Sequence, residues 1–426
     1  MASLVAANGT SPLDRKWVLL GDGGETNKSF RVVSYNILAD GERLALSDKH
    51  KYCPMNLRVW TYRWGKLKEE LAHYAAGVVA LQEVLPTAFR ENIEPFFTEL
   101  GYCPIYFKDK TKANEKSSHR GMSVATFIDR SKFAVIASEG VYYNSMLTSG
   151  IQTGRFKKKL LGLREGILLT LVRHLVTDKM VLVANTHIHW DPSYPHVKAQ
   201  QCAFACDASK AFLQKHAGSS DEPVPLVMVG DFNTLPFFQE EFVPSVQKAW
   251  WSTKDLAVIK HGLPSGAYQL LSRGSLKQDH PEHPDSFAKS SRPKIKTEEE
   301  LQLEAAMSAK ELKKKRAKEH PAVGELKTGF TNSSTGLTDV YSFLIQEQVP
   351  FTTKVDVWEG AIDYIWGNLL EENSRLKADG YLELPYQWEG KRSASGAWKY
   401  TKKTFPPIPN VSFSSDHLAI GAIFSF

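Results

Sequence analysis

Apolar positions along this chain follow two rhythms, and each rhythm predicts an element. Short, nearly unbroken apolar runs stand at "FRVVSYNIL" (30–38), "GVVALQEV" (77–84), "MSVATFI" (122–128) and "GILLTLVRHL" (166–175). "KMVLVANTHIHW" (179–190), "VPLVMVGDF" (224–232), "GAIDYIWG" (360–367) and "HLAIGAIFSF" (417–426) continue the series. Runs of this length, bounded by Gly, Pro and polar residues, read as buried strands. Between them Trp60, Trp64, Leu67, Leu71 and Tyr74 step by four and three, which places them on one helix face. A second helix is expected from about His196 through Phe212. Strands mixed with helices over the whole length predict a layered α/β architecture, with sheets inside and helices outside. One region breaks the rhythm: from about 276 to 327 aromatic residues nearly vanish and charge dominates. Within it "EEELQLEAAMSAKELKKKRAKEH" begins acidic and ends basic, as a helix dipole prefers, but its apolar stripe is thin. It reads as an exposed helix in a mobile insertion, with Lys313 to Arg316 on a solvated face.

Composition narrows the classes. The 426 residues carry 53 Lys and Arg against 47 Asp and Glu, a net charge of +6. That permits an anionic substrate without announcing a nucleic-acid binder. Cys53, Cys103, Cys202 and Cys206 are too few and scattered for a disulfide framework, so buried thiols are expected. No apolar run approaches membrane-spanning length, and "MASLVAANGTSPLDRK" has no basic region ahead of an apolar core. The expectation is a soluble, cytoplasmic protein, with the nucleus as an alternative.

Chemistry gathers at the strand ends. In "VMVGDFNTLP" an apolar run reaches Gly230, and Asp231 and Asn233 then stand two apart, able to point into one cleft. Such a pair alone is more often a turn. The pattern repeats, however: Asn36 in "SYNIL", Glu83 in "ALQEV", His187 and His189 in "NTHIHWDP", Asp363 in "IDYIW", Asp416 and His417 in "SSDHLAI". Each has an ordinary structural explanation, but all these residues are costly to bury without a partner, and independent coincidences accumulate poorly. Carboxylates and carboxamides with no cysteine nearby suit a hard divalent cation such as magnesium, and two histidines beside it suit a phosphate. Those are the parts of a metal-assisted displacement at phosphorus. No glycine-rich phosphate loop and no serine elbow accompany them.

The ordered series "YNIL", "LQEV", "NTHIHWDP", "GDFN", "IDYIW", "SDHLAI" resembles the endonuclease/exonuclease/phosphatase superfamily from about residue 30 to 426. The resemblance implies a four-layer α/β sandwich, two packed mixed sheets flanked by helices, with the active site at one edge. Residues 1–29 would then be an N-terminal tail and 30–426 one catalytic domain carrying the insertion at 276–327. "YCPMNLRVWTYRW" (52–64), "HIHWDPSYPHVKAQQ" (187–201), "SGAY" (265–268) and "PNVSFSSDH" are similar to the poly(A) deadenylases of the carbon catabolite repression type. By that resemblance Glu83 holds magnesium (or manganese in its place), with Asn36 assisting and Asp416 close to the metal. Asp231 orients the attacking water and Asn233 holds the scissile phosphate. His187 and His417 donate to phosphate oxygens, Asp363 fixes the His417 imidazole, and His189 is a further substrate contact. Pro192 and Trp358 clasp an adenine. Where such deadenylases show "EGCAIF" this chain has "RGMSVATF", so Arg120 replaces an acid near the substrate channel.

The resulting expectation is a magnesium-dependent 3′-exoribonuclease that prefers poly(A) tails and releases 5′-AMP. The alternatives are a 2′,5′-phosphodiesterase or nucleotide phosphatase on the same fold, and, in a different class, a non-catalytic RNA-binding scaffold. No leucine-rich repeats precede residue 30, so docking through such repeats into a large deadenylase complex is not implied, and protein partners stay open.

Overall fold

The central apolar runs are unbroken because both of their faces are covered. In the strand Leu226–Asp231, Val227 and Val229 face one core while Leu226 and Met228 face another, so every position is buried. The computed structural model describes residues 11–426 apart from 22–23, 40–44, 108–122, 148–154, 219–222, 238–262, 287–307, 309–324, 329–335, 370–374, 393–397 and 403–404. One sheet uses β1 (Trp17–Leu19), β2 (Ser29–Asn36), β3 (Val78–Val84), β4 (Tyr102–Tyr106) and β5 (Ser123–Asp129). The other uses β6 (Phe133–Tyr142), β7 (Gly166–His174), β8 (Met180–His187) and β9 (Leu226–Asp231), then β10 (Thr338–Asp339) and β11 (Asp363–Gly367). The chain returns to the first sheet with β12 (Lys377–Leu382) and β13 (Ile420–Ser425). The orders are β1-β12-β13-β2-β3-β5-β4 and β10-β11-β9-β8-β7-β6.

Val32, Val78, Val183, Val227, Ile365 and Ile420 fill the space between the sheets. Val33, Val79 and Leu81 point outward onto Leu67, Leu71 and Tyr74 of the helix Trp60–Tyr74. Leu182, Leu226 and Met228 meet Ala199, Cys202 and Phe204 of the helix Pro195–His216. The result is the expected four-layer sandwich, helix on sheet on sheet on helix. Each valine so buried is worth about 1.5–3 kcal/mol, which explains why the runs tolerate no polar break until their ends. One polar bridge does cross the middle: Gln82 donates to Asn185 Oδ1 at 2.9 Å, and Asn185 donates to the Ala125 carbonyl at 2.9 Å.

Each sheet contains one parallel pair, β2–β3 and β8–β9, and a helix spans the crossover in each, as parallel strands require. Parallel pairing brings C-terminal strand ends to the same edge. Asn36 registers with Gln82, His187 with Asp231, and antiparallel β11 sets Asp363 opposite Asp231. At Gly230, φ is +147°, and a Cβ would lie 1.9 Å from the Thr186 carbonyl oxygen, so only glycine lets β8 and β9 close up before Asp231.

Two expectations about organisation change. Residues 12–19 are not a loose tail. β1 pairs with β12, and Arg15 donates to the Glu383 and Ala419 carbonyls at 2.7 Å each. The insertion also begins later than its composition suggests: His280, Glu282 and His283 are buried and belong to the body. Ser275–Leu276 pairs with Leu326–Lys327, which pins the two flanks together. The expected charged helix and Lys313 to Arg316 lie outside the described residues, Ser308 excepted. Among the described residues no helix is long and apolar enough to cross a membrane.

Because the flanks are already joined, replacing residues 290–321 by a short linker should shift the melting temperature by no more than a few degrees. A deletion that starts at 278 instead removes buried histidines and should lower it markedly, by differential scanning calorimetry.

Candidate active site

Asp231 is the meeting point. It ends β9, is 1% exposed, and its Oδ2 accepts from Asn36 Nδ2 at 3.0 Å. His187 Nε2 lies 3.4 Å and His417 Nε2 3.8 Å from the same oxygen. Burial would raise this carboxyl's pKa, but the two imidazoles and the Asn233 amide hold it below the usual carboxylate range. Asn36 closes β2 and its amide also donates to Glu83 Oε1 at 3.2 Å, so one NH2 group ties the two sheets together. Glu83 Oε2 accepts from the Ala39 amide at 2.9 Å.

His417 leans on Asp363: Nδ1 lies 2.9 Å from Oδ2, and Thr352 Oγ1 donates to that oxygen at 2.5 Å. Burial alone would depress the imidazole's pKa; the Asp363 charge and hydrogen bond outweigh it and carry it up to about 10. Asp231 similarly raises His187 against its own desolvation. Asp231, Asp363 and His417 hold ligand atoms within 4.8 Å of one another, near enough to share a metal ion. Within the trio only His417 and Asp363 are hydrogen-bonded, while His417 Nε2 faces Asp231 from 3.8 Å.

Three of the non-glycine residues with positive φ surround this cluster: Leu38 (+53°), Glu83 (+59°) and Asn233 (+47°). A left-handed backbone costs most side chains about a kilocalorie or more, and persists where the surroundings over-determine it. At Asn233 the restraints are visible. Its amide donates to Asp231 Oδ1 at 2.8 Å, and its Nδ2 donates to the Ile188 carbonyl at 3.0 Å. From behind, buried Lys198 donates to the Asn233 carbonyl.

Asn36, Glu83, His187, Asp231, Asn233, Asp363, Asp416 and His417 are therefore brought to one edge. Asp416, expected close to the metal, is held by two neighbours. Lys49 donates to its Oδ2 at 3.1 Å, and His50 Nε2 lies 3.1 Å from the same oxygen. Despite burial these partners keep the carboxyl well below its ordinary pKa. His189, expected at the substrate, is buried, 4% exposed, with Nδ1 2.7 Å from Glu165 Oε1 and its backbone amide on Gln201. Burial with a charged partner makes it an anchor for the loop that follows β8. Pro192 stands exposed on that loop. Trp358 is half-buried in the turn between the two-residue strands Thr353–Lys354 and Glu359–Gly360. A Cβ at Gly360 would lie 2.6 Å from Leu235 and 2.8 Å from the Trp358 ring, so the indole lies over a bare α-carbon beside the Asn233 loop. Arg120 lies outside the described residues.

Sequence reasoning overlooked Lys49, His50, Glu165, Thr352 and Lys198. Lys49 and His50 sit in a charged loop that looks solvated. Their one signal is position, one residue ahead of "YCPMNL". Lys198 looked like an ordinary helix lysine.

No protein-family model matches the chain. The 3′-5′-exoribonuclease subunit Ccr4 of the CCR4-Not complex from Debaryomyces hansenii is 27% identical over 463 residues, covering 99% of this chain and 46% of that protein. The Schizosaccharomyces pombe subunit of the same name is 26% identical, covering 93% and 49%. Carbon catabolite repressor protein 4 homolog 2 of Arabidopsis thaliana is 34% identical over 226 residues, covering 49% and 36%. The chain thus spans about half the length, or less, of the curated relatives it matches. Among solved structures, ANGEL2, described as a 2′,3′-cyclic phosphatase, superposes with a TM-score of 0.61 at 21% identity, over 98% of this chain and 99% of that one. The human Nocturnin catalytic domain gives 0.53 at 17%, over 98% and 100%. The four-layer sandwich is the fold of these solved structures. In sequence the chain is similar to the Ccr4 exoribonuclease subunits over nearly its whole length.

Lys198 supplies a pH test of the site's internal electrostatics. Its burial outweighs nearby Glu282 and Asp231 and lowers the ammonium to about 8. The folded pKa lies below the unfolded value near 10.4, so the unfolded chain binds more protons in that window. Wild-type stability should therefore rise relative to Lys198→Met as pH increases from about 8 to 10.5, by up to roughly 3 kcal/mol. Paired urea melts across that range measure it.

Proposed function

We propose that this protein is a divalent-cation-dependent 3′-exoribonuclease of the deadenylase kind, acting on RNA with a preference for poly(A) tails and releasing 5′-AMP. The carrying observation is the Asp231 carboxylate, gripped at once by Asn36 and His187, with His417 close by and Asp363 behind His417. The Ccr4 relatives, named as 3′-5′-exoribonucleases, support the reading.

Glu83 fits a hard cation. Its oxygens accept from Asn36 and Ala39, no cationic side chain pairs with it among the described residues, and it borders Asp231. Glu83 with Asn36 would hold magnesium or manganese, which when bound polarises a phosphoryl oxygen and lowers the pKa of water. Asp416, paired with Lys49 and hydrogen-bonded to His50, would hold those two side chains at the metal's border. Asp231, kept ionised, orients the attacking water. Asn233 grips the phosphate through an amide whose backbone is fixed from both sides. Protonated His417, steered by Asp363, and His187 donate to phosphate oxygens as charge develops. Trp358 and Pro192 would take the adenine.

The deciding assay uses 5′-labelled RNAs ending in A, U, C or G, with magnesium, with manganese and with chelator. A 5′-AMP ladder, fastest on A and abolished by chelator, is expected. Orthophosphate release would instead favour the nucleotide-phosphatase alternative.

Glu83→Gln should lower turnover by at least two orders of magnitude with an unchanged melting temperature, since the ligand is lost while the amide keeps its shape. Near-wild-type rates at low magnesium would displace the cation from Glu83. Trp358→Ala should slow poly(A) cleavage by about one to two orders of magnitude, the worth of one lost stack, and leave a small generic phosphodiester nearly untouched. Equal loss on both, with a lowered melting temperature, would make Trp358 a packing residue.

A further inference from the structure

The loop after β8 carries an aromatic side chain that packing does not explain. Trp190 is 68% exposed, although its neighbours are immobilised. His189 is buried against Glu165, Asp191 Oδ1 accepts from the Ser193 amide at 2.9 Å, and the Asp191 carbonyl accepts from the Tyr194 amide at 3.2 Å. An indole held in water on a braced loop is a platform waiting for a flat partner. It stands three positions after His187, so the two α-carbons are at most about 11 Å apart.

A basic helix flanks the same loop. Residues 155–164, "RFKKKLLGLR", contain five Lys or Arg and no acid, in a chain whose net charge is only +6. Phe156 and Leu160 of the helix Arg155–Leu161 are buried against Val197, and Tyr194 packs beside them. Their i,i+4 spacing commits one face to the body. Lys158 is exposed and Lys157 half-exposed, and neither has an ion-pair partner among the described residues. Lys159 Nζ sits 3.8 Å from the centroid of the Tyr194 ring, tying helix to loop.

We infer that Trp190 and the lysines of Arg155–Leu161 form a track for single-stranded nucleic acid leading out of the cleft, with a base stacked on Trp190 and backbone phosphates on Lys157 and Lys158. Stacking on an exposed aromatic beside a positive strip is how single strands are held without sequence readout. A folded protein partner would not need the charge and the flat face side by side. The inference rests on the exonuclease reading, and extends it from the scissile linkage to the strand behind it.

The test titrates the full chain, inactivated by Asp231→Asn, with a fluorescent oligoadenylate of about ten nucleotides, the span of a single-strand groove. Trp190→Ala should weaken binding about tenfold. Lys157→Gln with Lys158→Gln should flatten the salt dependence of log affinity by about 0.7 per lysine. In the active background both variants should melt as wild type does and cleave the dinucleotide ApA at the wild-type rate, since a dinucleotide is too short to use the track. Wild-type RNA cleavage with unchanged oligomer binding in both variants would overturn the track and leave the exonuclease reading intact. Polyglutamate displacing the oligomer as well as poly(A), with Trp190→Ala neutral, would show a surface that reads charge alone, and would also overturn it. A wild-type chain that neither binds nor cleaves RNA would remove both readings together.

Discussion

Everything in this molecule answers to one electrostatic constraint: Glu83, Asp231, Asp363 and Asp416 are crowded at one edge of the sandwich, three of them nearly inaccessible to water. A buried carboxylate without a partner costs several kcal/mol, so the fold must deliver compensating charge or hydrogen-bond donors to each. It does so from distant stretches of chain. Lys49 and His50 reach Asp416 across more than 360 positions, and Asn36 reaches Asp231 across 195. His417 serves Asp363 and faces Asp231. Only Glu83 is left without a cationic side chain among the described residues, which is where an external cation is most welcome.

How much of this could be read beforehand depended on burial. Strands covered on both faces announced themselves: Val78–Val84, Leu226–Asp231 and Ile420–Ser425 are apolar at nearly every position, and no competing period obscures them. Strands at or near the sheet edges did not. Phe133–Tyr142 and Lys377–Leu382 are largely half-exposed, and Trp17–Leu19 is too short to show a rhythm. The acceptors of the site were legible because an Asp or Asn ending an apolar run is conspicuous. The donors were not, since a lysine in a charged loop or in mid-helix looks the same whether it faces solvent or a carboxylate. His189 shows the opposite case: its place in the motif suggests a ligand contact, while in the structure it is buried beside Glu165, which makes it part of the loop's foundation.

Stability and chemistry pull against each other here. The left-handed backbones at Glu83 and Asn233 and the desolvated ammonium of Lys198 each cost folding energy. They are concentrated where side chains must be held in one orientation, and they are offset by apolar cores on both sides of both sheets. The polar bridge of Gln82 and Asn185 lies between those cores, beneath the site, and couples the sheets so that the two halves of the constellation cannot slide apart.

The position of β13 has a consequence for biogenesis. This strand lies inside the first sheet, paired with β12 on one side and with β2 on the other, so a segment made early in translation waits for one made almost 400 residues later. Asn36 ends the early strand; Asp416 and His417 immediately precede the late one. Until β13 is threaded between its neighbours, β2 has an open edge and the imidazole at 417 has no carboxylate to lean on. Contacts of such long sequence separation form slowly. The Asn36, Asp416 and His417 positions can therefore come together only once the sheet has closed around β13.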